Sequence, residues 1–189
     1  KTKTMKKQIL LLPFLVIALI FTGCSDDDPV PVNEQELITT VEVNLSDGTN
    51  SYTLSMEDPD GDGPGEPTVT GATIPPGTYS GDIQLFNKTL DPSDDEYVVT
   101  VEILEEDLDH QFFFSASSEL NVTTAYTDMD SAGNPIGQQF SMTAVSGSGI
   151  FNVTLIHEPI KGADGVYDGD ITNAAGATDV NIDFPVTIE

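Results

Sequence analysis

Two histidines, one cysteine and 32 acidic residues hold most of the chemistry open to this chain of 189 residues. His110 follows the acidic run "EEDLD", and His157 precedes Glu158 at the end of an apolar, strand-like stretch. Imidazole and carboxylate together form a borderline-soft ligand set suited to zinc, iron or copper. Far apart in sequence, the two histidines can meet only if their strands pair; otherwise each sits singly at a strand end. A second constellation is "EDPDGDGPGEP", in which Asp58, Asp60 and Asp62 alternate ahead of Gly63. Calcium takes six to eight hard oxygens, and alternating aspartates in a turning loop aim several carboxylates inward, with Glu66 placed to complete the shell. The twelfth position is Val69 rather than a bidentate glutamate, which excludes an EF-hand. What remains is a calcium-stabilised loop between strands, or an acidic Gly/Pro loop that orders no cation. A third candidate is "KGADGVYDGDITNAAGATD", where Asp164, Asp168, Asp170 and Asn173 either form a binding loop or ride on a solvated connection.

Covalent and acid–base catalysis find little support. No G-x-S-x-G elbow or phosphate-binding glycine motif occurs, and "SGSG" at 146–149 reads as a hairpin turn. Among 32 acids some pairs lie close by chance, so carboxylate pairing carries no signal, and no catalytic residue is assigned.

Cys24 indicates an address rather than a reaction. Lys6 and Lys7 precede an apolar run from Ile9 to Phe21, and the small pair Thr22–Gly23 leads into the cysteine. Such a run is short for a membrane span and has the layout of a secretory signal over residues 1–23, with 1–4 upstream of the true start. The junction resembles a bacterial lipobox, which implies lipidation of Cys24, cleavage before it, and a stable anchor made by more than one acyl chain. "SDDD" after the cysteine resembles the acidic export signal of outer-membrane surface lipoproteins of the Bacteroidota. Residues 24–35 then read as an acidic tether.

Removing the first 23 residues from 189 leaves 166, enough for one domain over 36–189. Four of the six lysines leave with the signal and there is no arginine, so two cations face 32 acids for a net charge of −30. Such a surface repels nucleic acid, whose binding needs Lys and Arg to displace counterions. With the thiol spent on lipid, disulfides and Cys-ligated zinc are excluded together.

These groups must be positioned by strands. Segments 37–45 and 51–57 flank an Asp-Gly turn, a hairpin signal because Asp-Gly tolerates positive φ. Further strands are expected at 78–86, 96–104, 110–117, 121–128, 138–145, 149–158 and 179–189. Val41, Val43 and Leu45 alternate with Glu42 and Asn44, as do Val99, Val101 and Ile103 with Thr100 and Glu102. Half-apolar strands joined by polar turns predict an all-β fold of two antiparallel sheets face to face, an immunoglobulin-like or Greek-key sandwich.

"MEDPDGDGPGEP", "EEDLDHQFFF", "DMDSAGNPIG" and "IHEPIKGADGVYDGDITNAAGATDVNIDFPVTI" together resemble a family of small Bacteroidota surface lipoproteins, across essentially the whole domain. Its members are often labelled type 1 periplasmic-binding-fold proteins or GTP cyclohydrolases and are often encoded near TonB-dependent receptors. The resemblance carries over no catalytic residue. A two-lobed α/β fold needs more chain and more helix than this, and a triphosphate site needs more cations than Lys88 and Lys161. The expectation is an outer-membrane lipoprotein facing the exterior, binding a metal or small ligand, and accessory to such a receptor. A structural or adhesive module stiffened by calcium is the alternative, and a hydrolase of surface polymers a weaker one.

Overall fold

Alternating apolar residues set the first hairpin. In β1 (Thr40–Ser46) and β2 (Ser51–Glu57), Val41, Val43, Leu45, Leu54 and Met56 turn to one side and are buried. The Asp47 carboxylate accepts the Thr49 and Asn50 amides (2.8 and 2.7 Å), closing the turn before Gly48 at φ 87° sends the chain back. The structure, a computed structural model, describes residues 36–61 and 65–189. The signal, Cys24, the tether and Asp62 lie outside the described residues.

Eight further strands follow: β3 (Thr68–Thr70), β4 (Ala72–Ile74), β5 (Gly77–Phe86), β6 (His110–Ala116), β7 (Val122–Tyr126), β8 (Gln139–Ala144), β9 (Gly147–His157) and β10 (Ala177–Ile188). They form two sheets, of six strands in the order β3-β2-β1-β5-β8-β7 and of four in the order β4-β10-β9-β6. The sheets pack as an all-β sandwich around one core. Tyr79, Phe140 and Met142 of the first face Phe112, Phe151 and Phe184 of the second.

Four expectations are corrected. The segment 96–104 is not a strand; Val99–Glu105 forms the helix α1. β5 loses its β8 partner beyond Asp82, and α1 fills the vacated edge. The Leu85 amide donates to Thr100 Oγ1 at 2.6 Å, and that hydroxyl donates to the Leu85 carbonyl at 3.4 Å. The helical turn buries Val99, Thr100 and Ile103 together and leaves Val101 half exposed. Tertiary context thus overrides the β preference of a valine-rich run.

Two short strands, β3 and β4, were not anticipated. They belong to different sheets, and the chain crosses between them at Gly71. A Cβ there would collide with the Pro185 carbonyl. β4 runs parallel to β10, so the second sheet is mixed rather than purely antiparallel. "SGSG" is not a hairpin turn either. It carries the chain from β8 in one sheet to β9 in the other, and Gly149 sits where a side chain would strike Ser117 Oγ.

The long connection between β9 and β10 is more than a solvated link. It makes two 3₁₀ turns, Val166–Asp168 and Ile171–Asn173. Val166 and Ala174 press onto Phe113 and Ile156, the outward-facing side of the second sheet, and form a small second core.

Candidate metal centre

Strand pairing brings the two histidines together. β6 and β9 are antiparallel neighbours, and His110 pairs directly with His157. Both belong to the inward-facing register of Phe112 and Leu155, and both are buried. His157 Nδ1 lies 3.0 Å from His110 Nε2, with the rings 4.6 Å apart and nearly perpendicular.

Two carboxylates complete the cluster. Glu36 comes from the lead into β1, which Thr39 fastens to the end of β5. The Thr39 amide and hydroxyl both donate to the Phe86 carbonyl (3.0 and 3.2 Å), and the Lys88 amide donates to Thr39 Oγ1 at 2.7 Å. Asp179 comes from a break in the β9–β10 ladder. Thr178 pairs with Ile156 and Val180 with Leu155, which leaves Asp179 as an extra, bulged residue. In strict alternation Asp179 would share the exposed side of Asn181 and Asp183. The bulge instead re-aims it inward, where its side chain is 2 % exposed.

Glu36 Oε1 lies 3.7 Å from His110 Nε2. Asp179 Oδ2 lies 4.0 Å from the same nitrogen and 3.8 Å from His157 Nδ1. One donor atom from each of the four residues falls within 4.8 Å of every other. With zinc–ligand bonds near 2.0–2.2 Å, tetrahedral donors sit roughly 3.3 Å apart, so these edges suit an ion at the centre after small shifts.

The electrostatics favour a cation. Among the described residues Glu36 Oε2 and Asp179 Oδ2 are buried oxygens with no hydrogen-bond partner, an expensive arrangement for carboxylates unless a proton or a metal sits between them. Burial, and then the neighbouring Glu36, push the Asp179 carboxyl up to about 6, against the downward pull of His157. Burial lowers the pKa of His110, only partly offset by the Glu106 carbonyl and Glu36, and this keeps the imidazole neutral and able to ligate. The His110 Nδ1 lies 3.2 Å from the Glu106 carbonyl at the end of α1. A carbonyl only accepts, so Nδ1 carries the hydrogen and Nε2 turns its lone pair to the cluster. Metal-binding histidines are commonly oriented in this way.

Of the metal ligands expected from sequence, His110 and His157 are brought together. Glu158 is not with them; it is exposed, at φ 51°, beyond the end of β9. Glu36 and Asp179 were not foreseen. One sat at the edge of the tether, and the other read as an outward residue of an alternating strand. Among the described residues Asp58, Asp60 and Glu66 form no cluster of donors, and Asp60 accepts the Gly65 amide at 3.1 Å. In the β9–β10 connection the polar residues shape the turns. Asp170 accepts the Thr172 amide (2.9 Å), and Asn173 Nδ2 donates to the Asp164 carbonyl (2.8 Å). Asp168 lines a cavity of about 280 Å³ with Tyr126, Tyr167 and Met129.

Lys161 is also buried, and its ammonium meets Asp130 Oδ2 at 2.9 Å and donates to the Asp107 carbonyl. Burial acts to raise the Asp130 carboxyl, but the Asn134 amide and Lys161 more than offset it and hold it below the usual range. This pair clamps three loops together and is structural. Compared with family models, curated proteins and solved structures, the chain shows no match.

Proposed function

We propose that the protein is a lipid-anchored outer-membrane surface protein whose β-sandwich binds one divalent transition-metal ion, of the zinc class, through Glu36, His110, His157 and Asp179. The convergence of these four buried side chains, with unpartnered carboxylate oxygens aimed at two imidazole nitrogens, carries the reading. Two nitrogens and two carboxylates suit zinc, iron or copper and supply too few oxygens for calcium. Four protein donors, each with its side chain at most 8 % exposed, leave little room for substrate at the ion, and closed sites of this kind are structural rather than catalytic. The metal then stiffens a recognition module, and the lipidated Cys24 and acidic tether present it to an outer-membrane receptor or an external ligand.

Elemental analysis of protein purified from its native membrane tests this reading. One equivalent of zinc, iron or copper per chain is expected, lost in the His110→Ala variant. Metal-free protein, or calcium in its place, would overturn it. Mass spectrometry of the same preparation should find Cys24 N-terminal and acylated. An uncut chain with a free thiol would remove the anchor.

A further inference from the structure

β6 and β7 are the last strands of their sheets, and residues of both line the cavity of about 280 Å³ that Asp168 borders. Two of its walls are aromatic rings fixed by their neighbours. Phe114 of β6 packs on the core, stacked with Phe151 and with its ring centroid 4.4 Å from that of Phe140. Tyr126 of β7 lies 6.0 Å from Phe114, and its hydroxyl donates to the Phe112 carbonyl at 2.8 Å, which holds the ring in place. The first 3₁₀ turn of the β9–β10 connection supplies a third wall, Tyr167 and Asp168. Val166 anchors that turn: it is fully buried, and its carbonyl accepts from Gln111 Nε2 at 3.0 Å. Gly169, at φ 90°, sits so close to Tyr126 that a Cβ there would lie 3.2 Å from the hydroxyl oxygen. Met129 completes the lining from a loop pinned by Asp128, which accepts the Gly137 and Gln139 amides (2.8 and 2.9 Å).

Packing of the core does not account for this lining. Tyr167 and Met129 remain 49 % and 48 % exposed although both face held walls of the same cavity. Asp168 is the one carboxylate among the lining residues, and no lysine or histidine joins it. The two lysines among the described residues are engaged elsewhere, with Glu42, Glu57 and Asp130.

We propose that this cavity binds a small organic cation, a quaternary ammonium group held against Phe114, Tyr126 and Tyr167 with Asp168 as its counter-charge. Aromatic faces carry the negative part of the ring quadrupole, and several rings around one site attract a cation that has no N–H to offer a hydrogen bond. The methyl groups of such a cation fill apolar space beside the polarisable Met129 thioether, while its charge meets the rings and the carboxylate. The volume is just below the roughly 300–1,000 Å³ of pockets for drug-sized ligands, which suits a small head group. With 32 acids against six basic residues, the chain draws in cations and repels phosphate, so the ligand is a free cation rather than a phosphate-bearing one. None of the four metal ligands lines the cavity, so the inference stands or falls apart from the metal reading.

Choline is the probe, titrated into the purified full chain by calorimetry and by proton NMR, in which methyl protons held over ring faces move upfield. One equivalent should bind, and the neutral isostere with carbon in place of nitrogen should bind at least about tenfold more weakly. Tyr167→Ala should weaken choline binding by about tenfold, Asp168→Asn by about threefold to tenfold, and Tyr167→Phe should keep the wild-type affinity. Tyr167 and Asp168 are exposed, so an unchanged melting temperature should show each variant folded. Tyr167→Ala also leaves the charge untouched, which separates the cavity from general attraction to an acidic surface. No choline binding up to about 10 mM would overturn the inference. Equal binding of the neutral isostere, or wild-type affinity in Tyr167→Ala, would do the same. Phosphocholine binding as tightly as choline would overturn the assignment to a free cation.

Discussion

At the scale of the residue, the centre depends on protonation states that burial imposes. His110 is held neutral and Asp179 is pushed up to about 6, so a metal entering the cluster displaces a proton from Asp179 more often as the medium becomes acidic. Zinc affinity should therefore fall as pH drops from 7 towards 5, and calorimetry in buffers of different ionisation enthalpy should detect the released protons. At zinc concentrations 100-fold above the dissociation constant, binding should add about 2.7 kcal/mol to unfolding stability. That gain should vanish in His110→Ala. Asp130 is shifted the other way, and its contribution also weakens in acid. Its folded-state carboxyl lies below the ordinary value, so its contribution is present above the unfolded pKa and is lost as pH falls through the folded one. Asp130→Asn leaves Lys161 buried without its counter-charge and should cost about 3–5 kcal/mol at pH 7. The gap from wild type should narrow in urea titrations carried out near pH 3. The histidine pair was legible in the sequence because metal chemistry names its residue types. Glu36 and Asp179 were hidden among 32 acids, where residue type alone singles out none.

At the scale of the element, the useful features are departures from regularity. The bulge at Asp179 turns an outward position into an inward member of the cluster, and alternation along "DVNIDFPVTI" gives no hint of it, because Val180 to Ile188 keep perfect period two on either reading. α1 was misread for a related reason. Val99 and Ile103 lie on one side of a strand by alternation and on one side of a helix by their spacing of four, so the pattern could not decide. What decided was the unpaired edge of β5, a fact about distant chain. Thr100→Val tests that account. It keeps the shape but removes the partner of the buried Leu85 amide, and should destabilise by about 1–3 kcal/mol in urea unfolding. A neutral result would mean that α1 docks through Val99 and Ile103 alone.

At the scale of the whole molecule, the sandwich was readable because strand alternation and turn residues are local signals, and eight of the ten strands fall where those signals put them. Sheet membership was not readable. β8 and β9 are joined by a short turn yet lie in different sheets, and three-residue strands are too brief to show a period. Gly71 marks the point where β3 gives way to β4 and the two sheets are stitched together. Gly71→Ala should force the β4–β10 pair apart and lower the melting temperature by several degrees, the shift expected for 1–2 kcal/mol in a domain of this size.

The burial of Lys161 bears on how such a protein survives digestion. Trypsin-like proteases cut after lysine and arginine; the described residues contain only Lys88 and Lys161, and Lys161 is locked beneath three loops. Lys88, partly covered by Glu42 and Glu57, is left as the one accessible target in the folded domain. Limited trypsinolysis should stop at a single nick there, while unfolding first should expose a second cut at Lys161. A body so poor in lysine and arginine offers trypsin-like enzymes a single point of attack while it stays folded.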